Sequence, residues 1–206
     1  MVLGDECCIR IVLLDLDGTV IDTMGIYSRK AAELISRAVG IGVEEAIRLY
    51  LELAGRPFIE QLQIIGVPPD VAERLSREFE EWKMALFRSI EVDPRVVDEI
   101  SSIRRRLKVY ISTNNECNVV SVNSNLADLV DGILCYDRNT GSRKGDPHVN
   151  ILLEKEGVEP CNILFIGDSE YDVEVYSRLG LRVHKTKGLW ADHVDVESLP
   201  ICRKPL

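Results

Sequence analysis

The chain has 206 residues, 46% hydrophobic and 29% charged, which is enough to bury one full core or a core domain with a small insertion. Its formal net charge of −9 argues against a nucleic-acid partner, because such binding depends on clustered Lys and Arg side chains. The apolar runs are too short for a membrane span, and the amino terminus has no export-signal pattern. We therefore expect a cytoplasmic protein without a membrane or nucleic-acid partner.

Six cysteines, at positions 7, 8, 117, 135, 161 and 202, include no C-x-x-C pair. This spacing indicates neither a zinc cage nor a redox motif. We expect most of these side chains to act as small hydrophobic residues. A disulfide stays open as an alternative if the source is a hyperthermophile, where cytosolic bridges occur.

The first predicted element is a strand over residues 11–14, whose aliphatic run is typical of a strand covered on both faces. Asp15 and Asp17 follow it, and Gly18 marks the turn where the chain leaves it. These acids therefore lie at the carboxyl end of a strand, the edge where open α/β sheets bind their ligands.

The stretch before the next strand is far longer than one crossover helix requires. Two sets of apolar residues in it follow helical spacing: Ala31, Leu34, Ile35, Ala38 and Val39, and then Val71, Leu75, Phe79, Trp82 and Leu86. We therefore predict an inserted helical cap domain over residues 22–90. The catalytic core then comprises residues 1–21 and 91–206.

Four further strands are predicted at 109–113, 132–136, 162–166 and 182–185, each flanked by helical stretches at 94–107, 115–129, 147–156 and 170–179. Alternating strands and helices imply a parallel sheet with right-handed crossovers. The fold class is α/β, a Rossmann-like core.

Polar residues end three of these strands: Asp15 and Asp17, then Thr113 and Asn114, then Gly167, Asp168, Ser169 and Asp172. If the first strand is central, these ends converge. Carboxylates about 5 Å apart at an effective dielectric of about 20 repel by roughly 3 kcal/mol per pair, so protons or a cation must compensate. Oxygen ligands of this kind suit Mg²⁺.

In order along the chain, these residues resemble the four motifs of the haloacid dehalogenase-like superfamily of aspartyl phosphotransferases. The segment from Asp15 to Thr19 is similar to the first motif, D-x-D-G-T. Thr113 is similar to the second motif, a Thr or Ser that ends a strand, and Ser112 is the alternative match. Lys144 is similar to the lysine of the third motif. The segment from Gly167 to Asp172 is similar to the fourth motif, G-D-x-x-x-D.

The resemblance implies a role for each matched residue. Asp15 would be the nucleophile that forms an aspartyl-phosphate, and Asp17 the general acid and base. Thr113 would hold a phosphoryl oxygen with the backbone N–H of Asn114, and Lys144 would supply positive charge. The implied metal ligands are Asp15, the backbone carbonyl of Asp17, and Asp168. Asp172 would either bind the metal directly or support the residues that do.

The implied function is a Mg²⁺-dependent phosphatase of a small phosphomonoester, of the phosphoglycolate or sugar-phosphate class. Asp17 favours phosphate chemistry over dehalogenation, because a halide leaves without a proton. A phosphomutase of the β-phosphoglucomutase type is the alternative, followed by a phospho-receiver domain and a non-catalytic relative. Arg56 lies in a Gly/Pro-bounded turn of the predicted cap, where it would grip a substrate carboxylate or second phosphate, or be solvated. The partner would be a small phosphorylated metabolite, and the protein a monomer or homodimer.

Three positions depart from the superfamily pattern. Gly145 follows Lys144 where many relatives have proline, which predicts a looser loop. Val175 and Tyr176 stand where relatives commonly have small residues, which predicts different helix packing near the site. His148 is predicted to be a surface residue at a helix start.

Overall fold

A computed structural model describes residues 7–195 and 198–202. Within these residues the chain forms a five-stranded parallel sheet in the order β3-β2-β1-β4-β5. The strands are β1 (Ile11–Asp15), β2 (Lys108–Glu116), β3 (Gly132–Tyr136), β4 (Ile163–Gly167) and β5 (Arg182–Lys185). The first strand is central, so the carboxyl ends of its neighbours β2 and β4 lie beside its own.

Nine α-helices accompany the sheet in the described part of the chain. They are α1 (Met24–Val39), α2 (Val43–Glu52), α3 (Phe58–Ile64), α4 (Pro69–Phe87), α5 (Pro94–Arg104), α6 (Cys117–Val120), α7 (Ser124–Leu129), α8 (Asp146–Glu156) and α9 (Glu170–Arg178). None of these helices is long and apolar enough to cross a bilayer.

The side chains of the central strands alternate between two apolar cores, as the period of a strand requires. Val12 and Leu14 belong to a core that extends through helices α1 to α7, whereas Ile11 and Leu13 belong to one closed by α8 and α9. Helices therefore cover both faces of the sheet. The chain is an α/β protein with a Rossmann-like core, as the sequence predicts.

All five predicted strands are present, but the single helix predicted over 115–129 is wrong. Strand β2 continues to Glu116, and two short helices follow it. Asn123 separates them: its side chain accepts a hydrogen bond from the N–H of Leu126 and donates to the carbonyls of Phe87 and Ile90. A side chain that satisfies backbone groups in this way favours a helix start over a helix interior.

Helices α1 to α4, the inserted helices, lie between β1 and α5. Their apolar faces meet in an aromatic cluster, in which Phe79 packs against Tyr27, Tyr50, Phe58 and Trp82. The division into a core of 1–21 and 91–206 and a cap of 22–90 stays a prediction.

Three disulfides pair all six cysteines, each of which lies in the described residues: Cys7–Cys161, Cys8–Cys202 and Cys117–Cys135. The expectation that most cysteines act as small hydrophobic residues is therefore wrong, and the disulfide alternative is the one found. Two of these pairs could not be predicted from cysteine spacing, because their partners lie 154 and 194 residues apart. Both of these bridges fasten the strand-preceding segment at residues 7 and 8 to distant parts of the chain.

We expect protein unfolded without reductant to show no thiol that reacts with Ellman's reagent. In urea unfolding, the double variant Cys8→Ser/Cys202→Ser should lose about 0.7 kcal/mol more stability than Cys117→Ser/Cys135→Ser. With Cys7–Cys161 intact, the Cys8–Cys202 bridge closes a loop of about 40 residues, which restricts the unfolded chain more than the 18-residue loop of Cys117–Cys135. Reactive thiols in the unreduced wild-type protein would contradict the pairing.

Candidate active site

The predicted acids meet at the carboxyl edge of the sheet. Asp15 ends β1 and is buried, and Asp168 directly follows β4. Asp172 is buried in the first turn of α9. Parallel strands with aligned ends bring these three carboxylates together from segments about 150 residues apart, as the topology predicts.

Lys144 lies between two of these carboxylates. Its Nζ is 2.5 Å from Asp15 Oδ1 and 2.8 Å from Asp172 Oδ2. The side chains of the three residues are only 7%, 4% and 1% exposed, respectively. A buried ammonium with two buried carboxylates is a tightly coupled arrangement, because each charge depends on the others for compensation.

The electrostatics of the cluster follow from burial and from neighbouring charge. Burial raises the pKa of Asp15 well above its ordinary value, and Lys144 opposes this effect while Asp172 and Asp168 add to it. Burial also raises the pKa of Asp168. Burial lowers the pKa of Lys144, but Asp15 and Asp172 outweigh it and hold that pKa well above its ordinary value. The lysine therefore stays charged across the physiological range.

Asp17 is held apart from this cluster by two hydrogen bonds. The Thr23 hydroxyl donates a hydrogen bond to Asp17 Oδ1 at 2.7 Å, and Asn115 Nδ2 donates one to Asp17 Oδ2 at 2.8 Å. Asn115 Oδ1 in turn accepts from Lys83 Nζ at 2.7 Å. The carboxylate therefore has a fixed orientation, which a group that transfers a proton at a defined position requires.

Glycine is required at position 18, which follows Asp17 and lies against Asp168. Its φ is +80°, and a Cβ placed there would lie 2.2 Å from Asp168 Oδ2. Any side chain would therefore displace Asp168 and strain the backbone.

Thr113 and Asn114 lie in β2, beside Asp15. Thr113 is buried, and its hydroxyl accepts a hydrogen bond from the Asn115 N–H. Asn114 bridges two loops: its Nδ2 donates to the carbonyl of Gly55, and its Oδ1 accepts from the N–H of Lys144. The predicted phosphate contacts of both residues stay predictions.

A cavity of about 60 Å³ lies between the sheet edge and the inserted helices. Its lining combines predicted site residues with aromatic and polar residues of those helices: Asp15, Asp17, Met24, Tyr27, Tyr50, Ala54, Gly55, Arg56, Phe58, Gln61, Phe79, Lys83, Asn114, Asn115, Lys144, Asp168 and Ser169. The guanidinium of Arg56 stacks on the Tyr171 ring, 3.9 Å from its centroid. Most of the residues predicted to carry the chemistry therefore share one small space with Arg56, whereas Thr113 and Asp172 do not line it.

Sequence reasoning missed Lys83 and Asn115. Lys83 is buried in α4, where its Nζ is 2.7 Å from Glu80 Oε1. A signal was present, because Lys83 follows Phe79 by four residues and so lies on the apolar face of the helix. A charged residue at such a position indicates a buried partner.

The surface position predicted for His148 is wrong. The side chain is fully buried, with Nδ1 2.8 Å from Ser112 Oγ and Nε2 3.2 Å from the carbonyl of Cys135. Ser112, the alternative frame of the second motif, turns its hydroxyl to His148 and Tyr176. The proline before His148 predicts the helix start but not the face on which the next side chain lies.

The model of the haloacid dehalogenase-like hydrolases matches residues 9–180. The chain therefore belongs to this family of hydrolases. No curated protein matches the chain significantly.

Several solved structures share this fold. A candidate phosphoglycolate phosphatase from Lactobacillus plantarum is 20% identical, covers 85% of each chain and superposes with a TM-score of 0.70. β-Phosphoglucomutase from Clostridium difficile is 17% identical over 85% of this chain and 83% of that one, with a TM-score of 0.69. CbbY from Rhodobacter sphaeroides, solved with xylulose-1,5-bisphosphate, is 20% identical over 86% and 87%, with a TM-score of 0.65. At these identities the likeness shows a shared fold.

Replacing Lys144 with Met should destabilise the protein by about 3 kcal/mol at pH 7, because two buried carboxylates lose their counter-charge. The loss should shrink as the pH falls, since burial raises the pKa of Asp15 and its protonation removes part of the uncompensated charge. Urea unfolding measures both effects. Lys185→Met is the matched control, because the pair of Lys185 with Glu170 is exposed and contributes little. Equal stability of Lys144→Met and wild type would contradict the coupling.

Proposed function

We propose that the protein is a Mg²⁺-dependent phosphatase that hydrolyses a small phosphomonoester through an aspartyl-phosphate on Asp15. The observation that carries this proposal is the buried contact of Lys144 with Asp15 and Asp172 at the sheet edge. A buried carboxylate held by a lysine is suited to attack an anionic phosphoryl group, because the ammonium offsets the repulsion between the two anions.

The residues fit a magnesium ion. Among the described residues, no three His, Cys, Asp or Glu side chains already form a metal-binding group. Mg²⁺ needs fewer, since it takes one or two carboxylates and completes its shell with water and substrate phosphate. Asp172 Oδ1 is buried without a hydrogen-bond partner, and the site is rich in carboxylate oxygens. We propose Asp15, Asp168 and the backbone carbonyl of Asp17 as ligands, with Asp172 direct or supporting.

When bound, the ion would neutralise charge on the phosphoryl oxygens. The chain's own residues perform the bond changes. Asp15 Oδ1 accepts hydrogen bonds from Lys144 and from the N–H of Leu16, so Oδ2, which carries neither of these bonds, attacks the phosphorus. The ester P–O bond breaks, and Asp17 gives its proton to the departing alkoxide.

In the second half, Asp17 takes a proton from a water molecule, whose oxygen attacks the phosphorus and releases phosphate from Asp15. The hydrogen bonds of Asp17 to Thr23 and Asn115 support this role, because they hold its carboxylate beside the cavity and apart from Lys144. Lys144, the Thr113 hydroxyl and the backbone N–H of Asn114 would stabilise the charge on the transferring group.

The substrate we propose is a small phosphorylated metabolite of the phosphoglycolate or sugar-phosphate class. The cavity is small, and its outer wall comes from the inserted helices. These helices belong to the proposed cap domain, which consists of residues 22–90. Arg56 supports an acidic substrate: no hydrogen bond or carboxylate ion pair is found for its guanidinium in the described residues, so its donors are free for a carboxylate or second phosphate.

A phosphomutase is the second candidate, favoured by the same enclosed cavity and by the shared fold with β-phosphoglucomutase. Both activities use an aspartyl-phosphate and differ in whether water or a sugar hydroxyl accepts the phosphoryl group. Glucose 1-phosphate separates them: a phosphatase releases phosphate, whereas a mutase forms the 6-phosphate. Membership of a hydrolase family argues against a receiver domain or a non-catalytic binding protein.

We further propose a monomer or homodimer that acts without nucleic acid or membrane. A cytoplasmic location, which the sequence favours, would require a cytosol that preserves the three disulfides, as in hyperthermophiles.

Asp15→Asn should lower turnover of p-nitrophenyl phosphate by at least about a thousandfold, because the nucleophilic oxygen is lost. Chelation with EDTA should also abolish turnover, and added Mg²⁺ should restore it. Asp195→Asn, an exposed change outside the site, is the control. Activity that survives both Asp15→Asn and chelation would overturn the proposal.

Arg56→Ala should raise the KM for phosphoglycolate by about tenfold or more, because a bidentate contact to the substrate carboxylate is lost. The KM for p-nitrophenyl phosphate, which has no carboxylate, should change much less. Arg56→Lys tests the bidentate geometry, since it keeps the charge alone. Equal changes for both substrates would make Arg56 structural.

A further inference from the structure

The backbone on both sides of the Lys144 Cα is held by side chains from other elements. The N–H of Lys144 donates to Asn114 Oδ1 at 3.1 Å, and the N–H of Gly145 donates to the hydroxyl of Tyr176 at 3.3 Å. Gly145 has φ +94° and ψ −143°, a conformation open to glycine. Because glycine leaves the backbone mobile, these bonds matter for the direction in which the lysine side chain leaves the loop.

The Tyr176 hydroxyl belongs to a chain of buried polar groups beneath the cavity. It lies 2.6 Å from Ser112 Oγ, which lies 2.8 Å from Nδ1 of His148. Nε2 of the same histidine lies 3.2 Å from the carbonyl of Cys135. The Tyr176 ring stacks on Phe165, with centroids 4.0 Å apart. Packing therefore fixes the ring, and hydrogen bonds fix its hydroxyl.

Chemistry assigns one direction to this chain. A carbonyl can only accept, so His148 Nε2 carries the proton. Burial lowers the pKa of His148 to about 4, so the ring is neutral near pH 7 and Nδ1 accepts from Ser112. Ser112 must then accept from Tyr176. The remaining capacity of the Tyr176 oxygen is as an acceptor, and the N–H of Gly145 meets it.

Close packing confines the same turn. A Cβ on Gly145 would lie 3.3 Å from Val175 Cγ1, so the backbone of Gly145 rests against α9 beside Tyr176. The loop that contains Lys144 and Gly145, the lysine loop, therefore lies against α9 at two neighbouring residues. It packs against Val175 and forms a hydrogen bond with Tyr176.

We propose that Tyr176 is a positioning residue, whose hydroxyl fixes the Gly145 backbone and so keeps the Lys144 ammonium between Asp15 and Asp172. Ser112 and His148 hold that hydroxyl in its accepting orientation. The catalytic part of this inference rests on the proposed phosphatase function. A displacement of a charged group by about 1 Å can cost up to about a hundredfold in rate, so a loosened loop should affect the chemical step more than substrate capture.

Tyr176→Phe removes the hydroxyl and keeps the stacked ring. We expect kcat for p-nitrophenyl phosphate to fall about tenfold while KM stays within about twofold, since the lost effect is on the transition state. Tyr110→Phe is the matched control. Tyr110 lies in the same apolar core, 2% exposed against 0% for Tyr176, and its hydroxyl donates a part-buried hydrogen bond to Glu156, away from the lysine loop. That control should keep its kcat.

A second measurement needs no activity. Hydrogen–deuterium exchange of the peptide that contains Gly145 should be about tenfold faster in Tyr176→Phe than in wild type, because the amide loses its acceptor. Tyr110→Phe should leave that exchange unchanged. Ser112→Ala removes the acceptor for the hydroxyl proton of Tyr176, so it should also speed the exchange of this peptide, but by less. If Tyr176→Phe does not fold, the exchange in Ser112→Ala is the test.

The outcomes separate the two proposals. If wild type hydrolyses no phosphate ester, the phosphatase function fails, and the exchange comparison alone decides whether Tyr176 holds the loop. Unchanged exchange in the folded variants overturns the positioning role. An equal fall in kcat for Tyr176→Phe and Tyr110→Phe also overturns it, because that result reports general destabilisation.

Discussion

The structure depends on one buried charge arrangement, in which the ammonium of Lys144 compensates Asp15 and Asp172. Two such carboxylates without a counter-charge would cost several kcal/mol, a large fraction of the stability of a domain. The lysine loop, strand β1 and helix α9 must therefore reach their native places together. The same arrangement is the one a phosphoryl-transfer site needs, because it presents an oxygen nucleophile beside a fixed positive charge.

The inserted helices are linked to this arrangement through two asparagines of β2. Asn114 joins the carbonyl of Gly55 to the lysine loop, while Asn115 joins Lys83 to Asp17. The two pairs of contacts mean that the position of the inserted helices bears on both the lysine and the second aspartate. Substrate enclosure and preparation of the chemical groups would thus be one event in the proposed mechanism.

The sequence predicts the sheet and the meeting of the acids, because short apolar strands end in polar residues in a recognisable order. It does not predict contacts made by packing between distant segments. The disulfide of Cys8 with Cys202 is one case, and the burial of His148 is another, since a residue next to a helix start can face either way. Gly145 alone predicts a loose loop. Only the structure shows that the hydroxyl of Tyr176 accepts a hydrogen bond from the N–H of that glycine.

In the proposed mechanism, Asp15 becomes phosphorylated during turnover. The most direct measurement is to mix the enzyme with p-nitrophenyl phosphate and Mg²⁺, quench in acid, reduce with borohydride and sequence the peptides by mass spectrometry. Borohydride reduces an acyl phosphate to an alcohol, so we expect homoserine at position 15 and unmodified Asp17 and Asp168. Turnover with no modified aspartate, or with the modification at another aspartate, would contradict it.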